Sequence, residues 1–254
     1  MAHDRMSVLE EKGYVVLSPD RAVVDPAEWQ GLEYVDWKSS GDTRFAPLAS
    51  AYGAIECNAF WHFDPPKPDK DGVWIESQVA VAPTIAAIAR EPGAPVGRVR
   101  VIELQPNTYA DALYNSHLDD NNRINPDGEG WIVRSFRNLT DDGASCMVLR
   151  EDVSDPSTET RIALPAGARI IVDSERLWHS VWHPGPQPRY CLITSYESGP
   201  ALEKWIFEND PTTEGPRVDV DADVAAQMEA VAQERRAKRV EYYGYDPTDV
   251  RSEA

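Results

Sequence analysis

The chain has 254 residues, of which 42% are hydrophobic and 27% are charged, and this composition is typical of a globular protein with one core. Its formal net charge of -18 argues against nucleic acid as the main partner, because phosphate recognition needs clustered Lys and Arg. The three cysteines, Cys57, Cys146 and Cys191, are widely separated, which excludes a C-x-x-C metal knuckle and a disulfide framework.

Membrane association and secretion are not expected from the sequence. No stretch approaches the roughly 18 continuous apolar residues of a membrane span. The first residues have no apolar segment that resembles a signal peptide. We therefore expect a cytoplasmic protein without a membrane partner.

Residues 1–97 are predicted to form a helical and irregular support. Residues 8–17 indicate a helix end, a glycine stop at Gly13 and a short strand. Residues from about 25 to 72 show no regular period. Residues 74–90 have helical spacing, and Pro83 should start or kink part of this helix.

Residues 98–198 change to short β-runs separated by turn residues. The predicted strands are 98–104, 131–138, 145–151, 160–164, 169–172, 178–182 and 189–196. Short strands at close spacing without intervening helices predict an antiparallel sandwich or barrel. Two polar insertions, 120–130 and 152–158, are expected to be exposed loops near the strand ends.

Residues 199–254 are predicted to be a helical segment followed by a polar tail. Val224, Met228 and Val231 repeat at i, i+4 and i+7, which predicts an amphipathic helix over about 221–240. The basic run 235–239 is expected to be the solvated end of this helix. No internal repeat or long linker separates these parts, so a single domain is expected.

The first chemical motif is His117-Leu118-Asp119. On a strand, residues i and i+2 face the same side, so the imidazole and the carboxylate would point together into one space. An isolated H-x-D sequence is more often an ordinary surface pair, and this motif alone predicts little.

The second motif places His179 on a predicted strand that a tight turn connects to Arg189. Two histidines and one carboxylate can occupy one face of an octahedron around iron and leave three positions open. His183 is an alternative ligand, because it lies on the same strand face. Pro184 should end the strand there, so His179 is the favoured ligand and the role of His183 stays open.

Here the chain resembles the Fe(II)/2-oxoglutarate-dependent dioxygenase superfamily, whose signature is H-x-D, a distal His, and an Arg or Lys ten residues further on. His117, Asp119, His179 and Arg189 match this order and spacing. Residues 167–173 also resemble the strand that leads into the distal histidine. The resemblance covers roughly residues 98–198, and it implies a mainly β fold, a double-stranded β-helix (jelly-roll) core with flanking helices.

The resemblance also implies roles for individual residues. His117, Asp119 and His179 would bind Fe(II), and Arg189 would hold the distal carboxylate of 2-oxoglutarate, whose keto acid end chelates the iron. Tyr114 matches a tyrosine that often donates a hydrogen bond to this co-substrate. Halogenases of the superfamily have Gly or Ala in place of the carboxylate, so Asp119 argues against halogenation.

Substrate contacts are predicted at five further positions. Arg134 would be explained by a substrate or co-substrate carboxylate if it points into the barrel. Asn121 and Arg123 follow the metal motif and are placed at the pocket mouth, although a solvated turn explains them equally well. Trp131 and Trp182 are candidates for the pocket wall, with simple packing as the alternative.

The predicted activity is O2-dependent hydroxylation of an unactivated C–H bond of a small molecule, such as an amino acid or a natural-product intermediate. A small substrate is preferred because the sequence shows one domain, no appended binding module and no basic surface. Two alternatives stay open: a protein or peptide side-chain hydroxylase, and a cupin-like metal-binding protein that is not an oxygenase. A cupin would have more histidine ligands and would leave Arg189 without a role. The motif does not distinguish hydroxylation from desaturation or cyclisation, and it does not define the oligomeric state.

Overall fold

The computed structural model describes residues 6–20, 22–37, 42–125, 130–141 and 144–249. The strands are β1 (Tyr14–Leu17), β2 (Val35–Trp37), β3 (Thr43–Ser50), β4 (Val73–Trp74), β5 (Val96–Leu104), β6 (Ile132–Asn138), β7 (Cys146–Arg150), β8 (Thr160–Ala163), β9 (Arg169–Val172), β10 (Trp178–Trp182) and β11 (Arg189–Glu197). The helices are α1 (Pro26–Gln30), α2 (Glu76–Val81), α3 (Pro83–Arg90), α4 (Tyr109–Tyr114), α5 (Pro200–Glu208) and α6 (Ala222–Tyr243).

Two antiparallel sheets form the core. The larger sheet has the order β1-β9-β6-β11-β5-β3-β2, with β4 paired to β3, and the smaller sheet has the order β10-β7-β8. The inner faces meet in one apolar cluster, in which Phe136 and Ile170 of the larger sheet join Met147 and Leu149 of the smaller sheet. This mainly β architecture with flanking helices is the jelly-roll core that the sequence predicts.

Helices cover the outer face of the larger sheet. Ile85 and Ala86 of α3 pack with Leu48 of β3 and Val101 of β5. Further along the sheet, Leu202 of α5 belongs to a second outer cluster, which also contains residues of β1, β6 and β9. The inner face is thereby left to the apolar core and to the cavity described below.

The N-terminal part differs from the prediction. Residues 1–97 supply β1, β2, β3 and β4 to the larger sheet and are therefore not only a helical and irregular support. The most important strand that the sequence did not predict is β3. It pairs with β5, and almost all of its residues are buried. A strand buried on both faces lacks the alternation by which strands are recognised. Its Pro47 lies where the β3–β5 register shifts, which further obscures the pattern.

The C-terminal helix α6 was predicted correctly, but its buried face was not. Val224 and Val231 are 47% and 40% exposed, whereas Ala232 and Arg236 are buried. Arg236 donates hydrogen bonds to the carbonyl oxygens of Leu113 (3.0 Å) and Ser116 (2.6 Å). The expectation of a solvated basic end was therefore wrong for Arg236, because the carbonyls at the end of α4 need donors and α6 supplies them, whereas the side chain of Lys238 is exposed as expected. Within the described residues, no helix is both long and apolar enough to cross a membrane.

Candidate metal centre

The backbone brings the three predicted ligands together. His117 N donates to the His179 carbonyl (3.2 Å), and His179 N donates to the His117 carbonyl (3.0 Å). Asp119 N donates to the carbonyl of Ser174 (2.9 Å), in the turn between β9 and β10. His117 thus lies in an isolated bridge beside β10 and not in a longer strand. The expected result, with His117 and Asp119 pointing into one space, is nevertheless obtained.

The side-chain donor atoms of His117, Asp119 and His179 all lie within 4.8 Å of one another. Nε2 of His117 is 3.9 Å from Oδ1 of Asp119, and Nε2 of His179 is 3.8 Å from Oδ2. Imidazole and carboxylate donors bind first-row divalent ions at roughly 2.0–2.2 Å. One ion between the three donors is therefore within reach of all of them, and the donor set fits a facial two-histidine, one-carboxylate site.

The protonation states also suit metal binding. Nδ1 of His117 lies 3.0 Å from the Asn115 carbonyl, and Nδ1 of His179 lies 3.3 Å from the Leu177 carbonyl. A carbonyl only accepts, so each Nδ1 carries the proton and each Nε2 presents its lone pair to the centre. Burial, and then the neighbouring His117, lowers the pKa of His179 to about 4, so this imidazole is neutral at pH 7.

Asp119 is held as a carboxylate by its neighbours. Burial alone would raise its pKa, but Arg134, His179 and His117 keep the pKa of Asp119 well below its usual value. Nε of Arg134 donates a 3.0 Å hydrogen bond to Oδ2 of Asp119. Arg134 also donates to Oδ1 of Asn121 (2.6 Å) and to the hydroxyl of Ser195. Its guanidinium therefore fixes the orientation of the carboxylate.

A buried aspartate, Asp69, completes this network. Its Oδ2 lies 2.7 Å from Arg98 and 3.5 Å from Arg134, so Asp69 and Asp119 together balance the charges of two buried arginines. Gly97 makes this approach possible, because a Cβ at position 97 would lie 2.2 Å from Oδ1 of Asp69. The backbone N–H of Arg98 donates to the same oxygen at 2.8 Å.

A cavity of about 270 Å3 lies between the two sheets and is lined by His117, Asp119 and His179. Arg189 lines it and is only 1% exposed, yet its Nε and Nη2 atoms have no hydrogen-bond partner among the described residues. Arg100 also lines it, and its Nε and Nη1 atoms likewise lack a partner there. The apolar part of the wall is formed by Trp37, Phe45, Ile102, Phe136, Met147 and Val181.

Tyr114 does not line this cavity, in contrast to the prediction of a co-substrate contact. It is the last residue of α4, and its ring faces α6, where the guanidinium groups of Arg235 and Arg239 lie 4.1 Å and 4.5 Å from its centre. Tyr114 is the last residue of α4, whereas His117 lies beyond the end of this helix. The side chain of Tyr114 therefore points away from the cavity, although only three residues separate it from His117. The assignment of Tyr114 to the co-substrate is corrected accordingly.

The predicted substrate contacts have other surroundings. Asn121 is fully buried and accepts hydrogen bonds from Arg98 and Arg134, so it belongs to the network behind Asp119. Arg134 lines the cavity, but its donors are used by protein acceptors. Arg123 pairs with Asp120 at 3.2 Å, with half of its side chain exposed, and it does not line the cavity.

The two tryptophans predicted for the pocket wall pack elsewhere. Trp131 joins the cluster on the outer face of the larger sheet and donates to Oδ1 of Asp173 at 3.1 Å. Trp182 packs edge-on against Tyr109 of α4, with ring centres 5.3 Å apart. The prediction that these side chains form the pocket wall was wrong. Trp131 lies on the outer face of the larger sheet, and Trp182 lies at the end of β10, where its side chain packs against α4.

His183 has structural contacts. Its Nδ1 lies 2.8 Å from the Ser145 hydroxyl, and its Nε2 lies 2.6 Å from the Gln187 carbonyl, so both ring nitrogens are engaged. The geometry therefore groups His179, and not His183, with His117 and Asp119.

Three functional candidates were missed in the sequence: Asp69, Arg98 and Arg100. A signal for the arginines was present, because Arg98 and Arg100 are two residues apart on a predicted strand and must share one face. Asp69 had no such signal, since it lies in a segment without periodicity.

Comparisons with known proteins find similarity to solved structures. No protein-family model and no curated protein sequence matches the chain. Solved structures similar to it include 2-oxoglutarate oxygenases. One is an oxidoreductase of the 2OG-Fe(II) oxygenase family from Burkholderia pseudomallei, with 15% identity over 78% of this chain and 96% of that chain and a TM-score of 0.46.

Two further similar structures are named for other activities. One is the non-heme α-ketoglutarate-dependent epimerase SnoN from nogalamycin biosynthesis, with 18% identity over 84% of this chain and 93% of that chain and a TM-score of 0.38. The other is a cupin 2 domain-containing protein from Halorhodospira halophila, with 14% identity over 87% of this chain and 95% of that chain and a TM-score of 0.33.

Proposed function

We propose that the chain is an Fe(II)- and 2-oxoglutarate-dependent oxygenase that hydroxylates an unactivated C–H bond of a small molecule. One observation carries this proposal: the donor atoms of His117, Asp119 and His179 converge on the same cavity that Arg189 lines, where its Nε and Nη2 atoms have no hydrogen-bond partner among the described residues. A metal ion and a carboxylate-bearing co-substrate would together satisfy both features.

The triad fits Fe(II) by its donor chemistry. Two neutral imidazoles and one carboxylate would occupy one face of the ion and leave three positions for co-substrate and O2. Arg134 and Asn121 would keep the Asp119 carboxylate in place, since both contact its Oδ2 atom. With Fe(II) and 2-oxoglutarate bound, the centre would supply an oxidant for a substrate C–H bond, while 2-oxoglutarate and O2 are converted to succinate, CO2 and the new hydroxyl group.

Arg189 would hold the distal carboxylate of 2-oxoglutarate. A guanidinium remains charged at any working pH and presents paired N–H groups that match a carboxylate. Leaving such a group buried and unpaired is costly, so an anionic ligand explains its position better than packing does. Cys191 and Ile193, which follow on the same inner face of β11, also line the cavity and exclude water beside this contact.

The size of the cavity supports a small substrate. Its volume of about 270 Å3 lies just below the usual range of about 300–1,000 Å3 for small-molecule sites. A cupin-like protein without oxygenase activity is disfavoured by the donor set, because among the described residues the ligand group consists of His117, Asp119 and His179 and gains no further histidine. That alternative would also leave Arg189 without a partner.

The proposal is tested by anaerobic titration of the Fe(II)-loaded protein with 2-oxoglutarate, in which a chelated keto acid gives a weak visible charge-transfer band. Wild type is compared with His179→Ala, His183→Ala and Arg189→Met. The exposed His62 provides a matched histidine control, His62→Ala.

We expect the band in wild type, in His62→Ala and in His183→Ala. His179→Ala should lose it through loss of iron, and Arg189→Met should need at least tenfold more 2-oxoglutarate. If wild type binds iron but gives no band and no succinate, the oxygenase proposal fails and a cupin-like binding protein becomes the better explanation.

A further inference from the structure

The cavity contains a second arginine that the proposed chemistry does not use. Four arginines line it: Arg98, Arg100, Arg134 and Arg189. Arg98 and Arg134 are paired with Asp69 and Asp119. Arg100 is 9% exposed and Arg189 is 1% exposed, and each has two guanidinium nitrogens without a hydrogen-bond partner in the described part of the chain. One anionic co-substrate accounts for only one of these two.

The guanidinium of Arg100 lies over an aromatic ring in the cavity wall. Its guanidinium carbon is 4.3 Å from the centre of the Phe45 ring. A contact of this kind attracts the cation to the ring but supplies no hydrogen-bond acceptor for its N–H groups. The Nε and Nη1 atoms lack partners among the described residues, so Arg100 has buried donors that a ligand could use.

Arg100 and Arg189 lie at different levels of the cavity. On the paired strands β5 and β11, Arg189 is opposite Leu104 and Arg100 is opposite Ile193. The two backbone positions are therefore offset by about 13 Å along the strands. Ile102 and Cys191 face each other between these levels. The backbone of Arg100 lies at the same level of the sheet as Phe136, close to the residues that contact Asp119. The backbone of Arg189 lies at the opposite end of the cavity.

The charge balance of the cavity also calls for a further anion. Asp69 and Asp119 offset Arg98 and Arg134, and a dianionic 2-oxoglutarate offsets a divalent metal ion. The charges of Arg100 and Arg189 then remain. Burial, and then Arg98 and Arg134, lowers the pKa of Arg100 only to about 9, so it is still a cation at neutral pH. In a protein of net charge -18, this is a local concentration of positive charge.

We propose that Arg100 is the substrate anchor, and that the substrate is a small carboxylic acid whose carboxylate binds the Arg100 guanidinium and whose apolar body packs against Phe45, Ile102 and Trp37. This inference rests on the proposed function, because it assigns Arg189 to 2-oxoglutarate. A carboxylate fits better than a phosphate, since the single charge of Arg100 balances one carboxylate, whereas a phosphate dianion would need a second cation and lysine is absent from the described cavity wall.

The test measures binding and needs no turnover. The protein is loaded with Zn(II), a diamagnetic and redox-inactive ion, and saturated with 2-oxoglutarate. The probes are 3-phenylpropionate, indole-3-acetate and hexanoate, each beside its primary amide, followed by ligand-observed NMR and calorimetry. The variants are Arg100→Met, Arg100→Lys and Arg189→Met, with Arg90→Met as a control on the exposed side of α3.

We expect at least one carboxylate to bind wild type and Arg90→Met at least tenfold more tightly than its amide. Arg100→Met should lose this preference while retaining 2-oxoglutarate binding, and Arg100→Lys should keep part of it, because the charge remains but the planar guanidinium is lost. Arg189→Met should lose 2-oxoglutarate and keep the carboxylate preference. Retained 2-oxoglutarate binding by Arg100→Met also shows that this variant is folded.

Two results would overturn the inference. One is a wild type that binds no carboxylate more tightly than its amide. The other is an exchange of roles, in which Arg100→Met loses 2-oxoglutarate or Arg189→Met loses the carboxylate preference. A wild type that fails to bind 2-oxoglutarate, but selects carboxylates through Arg100, refutes the proposed function and leaves the anion site standing.

Discussion

Nε of Arg134 lies 3.0 Å from Oδ2 of Asp119, the carboxylate oxygen that also faces Nε2 of His179. The arginine is almost fully buried, and its other donors are used by Asn121 and Ser195. The guanidinium of Arg134 is thus held by protein acceptors, and at the proposed metal site it would act through Asp119 as a positioning residue. The sequence suggested a substrate contact instead.

Replacing Arg134 should weaken metal binding. Arg134→Lys keeps the charge but loses the three-way hydrogen bonding, and loss of such an outer contact typically lowers metal affinity 10- to 100-fold. The measurement is competition for Co(II) or Zn(II) against a chromophoric chelator. Arg123→Lys, at a half-exposed position four residues after Asp119, is the control and should bind metal like wild type. Equal metal affinity in Arg134→Lys and wild type would show that Asp119 needs no such support.

Tyr114→Phe should leave 2-oxoglutarate binding unchanged. The ring of Tyr114 is stacked on Arg235 and Arg239 outside the cavity, and removal of its hydroxyl does not alter this stacking. The charge-transfer titration measures the effect, with Arg189→Met as the variant that should fail. If Tyr114→Phe needs more 2-oxoglutarate than wild type to form the band, Tyr114 does contact the co-substrate.

Arg236 should be more important for stability than its neighbour Arg235. Arg236 is buried and joins α6 to the carbonyls of Leu113 and Ser116 and to Asp246, whereas Arg235 forms a half-exposed pair with Asp111. Loss of a buried, hydrogen-bonded charge commonly costs about 3–5 kcal/mol, and an exposed pair contributes at most about 1 kcal/mol.

Urea denaturation of Arg236→Met and Arg235→Met measures this difference. We expect Arg236→Met to lower the free energy of unfolding by about 3 kcal/mol or more and Arg235→Met to change it by less than about 1 kcal/mol. Similar values for the two variants would mean that α6 is not anchored through Arg236.

Glu175 should make stability depend on pH. Burial raises the pKa of Glu175 to about 7 from its ordinary value of 4.5, with hydrogen bonds from Asn122 opposing the shift. The fold therefore favours the neutral form. The stabilising contribution is complete below pH 4.5, falls as Glu175 ionises between pH 4.5 and 7, and is lost above pH 7.

Glu175→Gln removes this ionisation and keeps an acceptor for Asn122. Urea denaturation measures the free energy of unfolding of the variant and of wild type at both pH 5 and pH 8. The difference between the variant and wild type should be about 1–3 kcal/mol more favourable to the variant at pH 8 than at pH 5. Other titrating groups cancel in this difference. A constant difference across the range would show that Glu175 is ionised freely in the folded protein.

The sequence predicted the fold, and it indicated the three residues that the structure brings together as a possible metal site, because both depend on local patterns. Strands 169–172 and 178–182 were found with their observed limits, since turn residues flank each of them. The order and spacing of His117, Asp119, His179 and Arg189 are likewise visible along the chain. These features are determined over a few residues, and a single sequence displays them.

The rest of the site depends on contacts between distant segments. Asp69 meets Arg98 through a close approach that only Gly97 permits, and nothing in residues 56–72 indicates it. Tyr114 was misplaced because its direction is determined by where α4 ends and by the packing of α6. Trp131 and Trp182 were misplaced because an aromatic residue near a motif can pack on either side of a sheet. Each error concerns side-chain direction, which tertiary packing decides.

The three proposed ligands share one support. His117 is joined to His179 by two backbone hydrogen bonds, and Asp119 is joined to Ser174, so all three are attached to the segment 174–179. Arg100 and Arg189 instead belong to the larger sheet. A ligand that contacts both the three donor atoms and these arginines would therefore span the two sheets of the core.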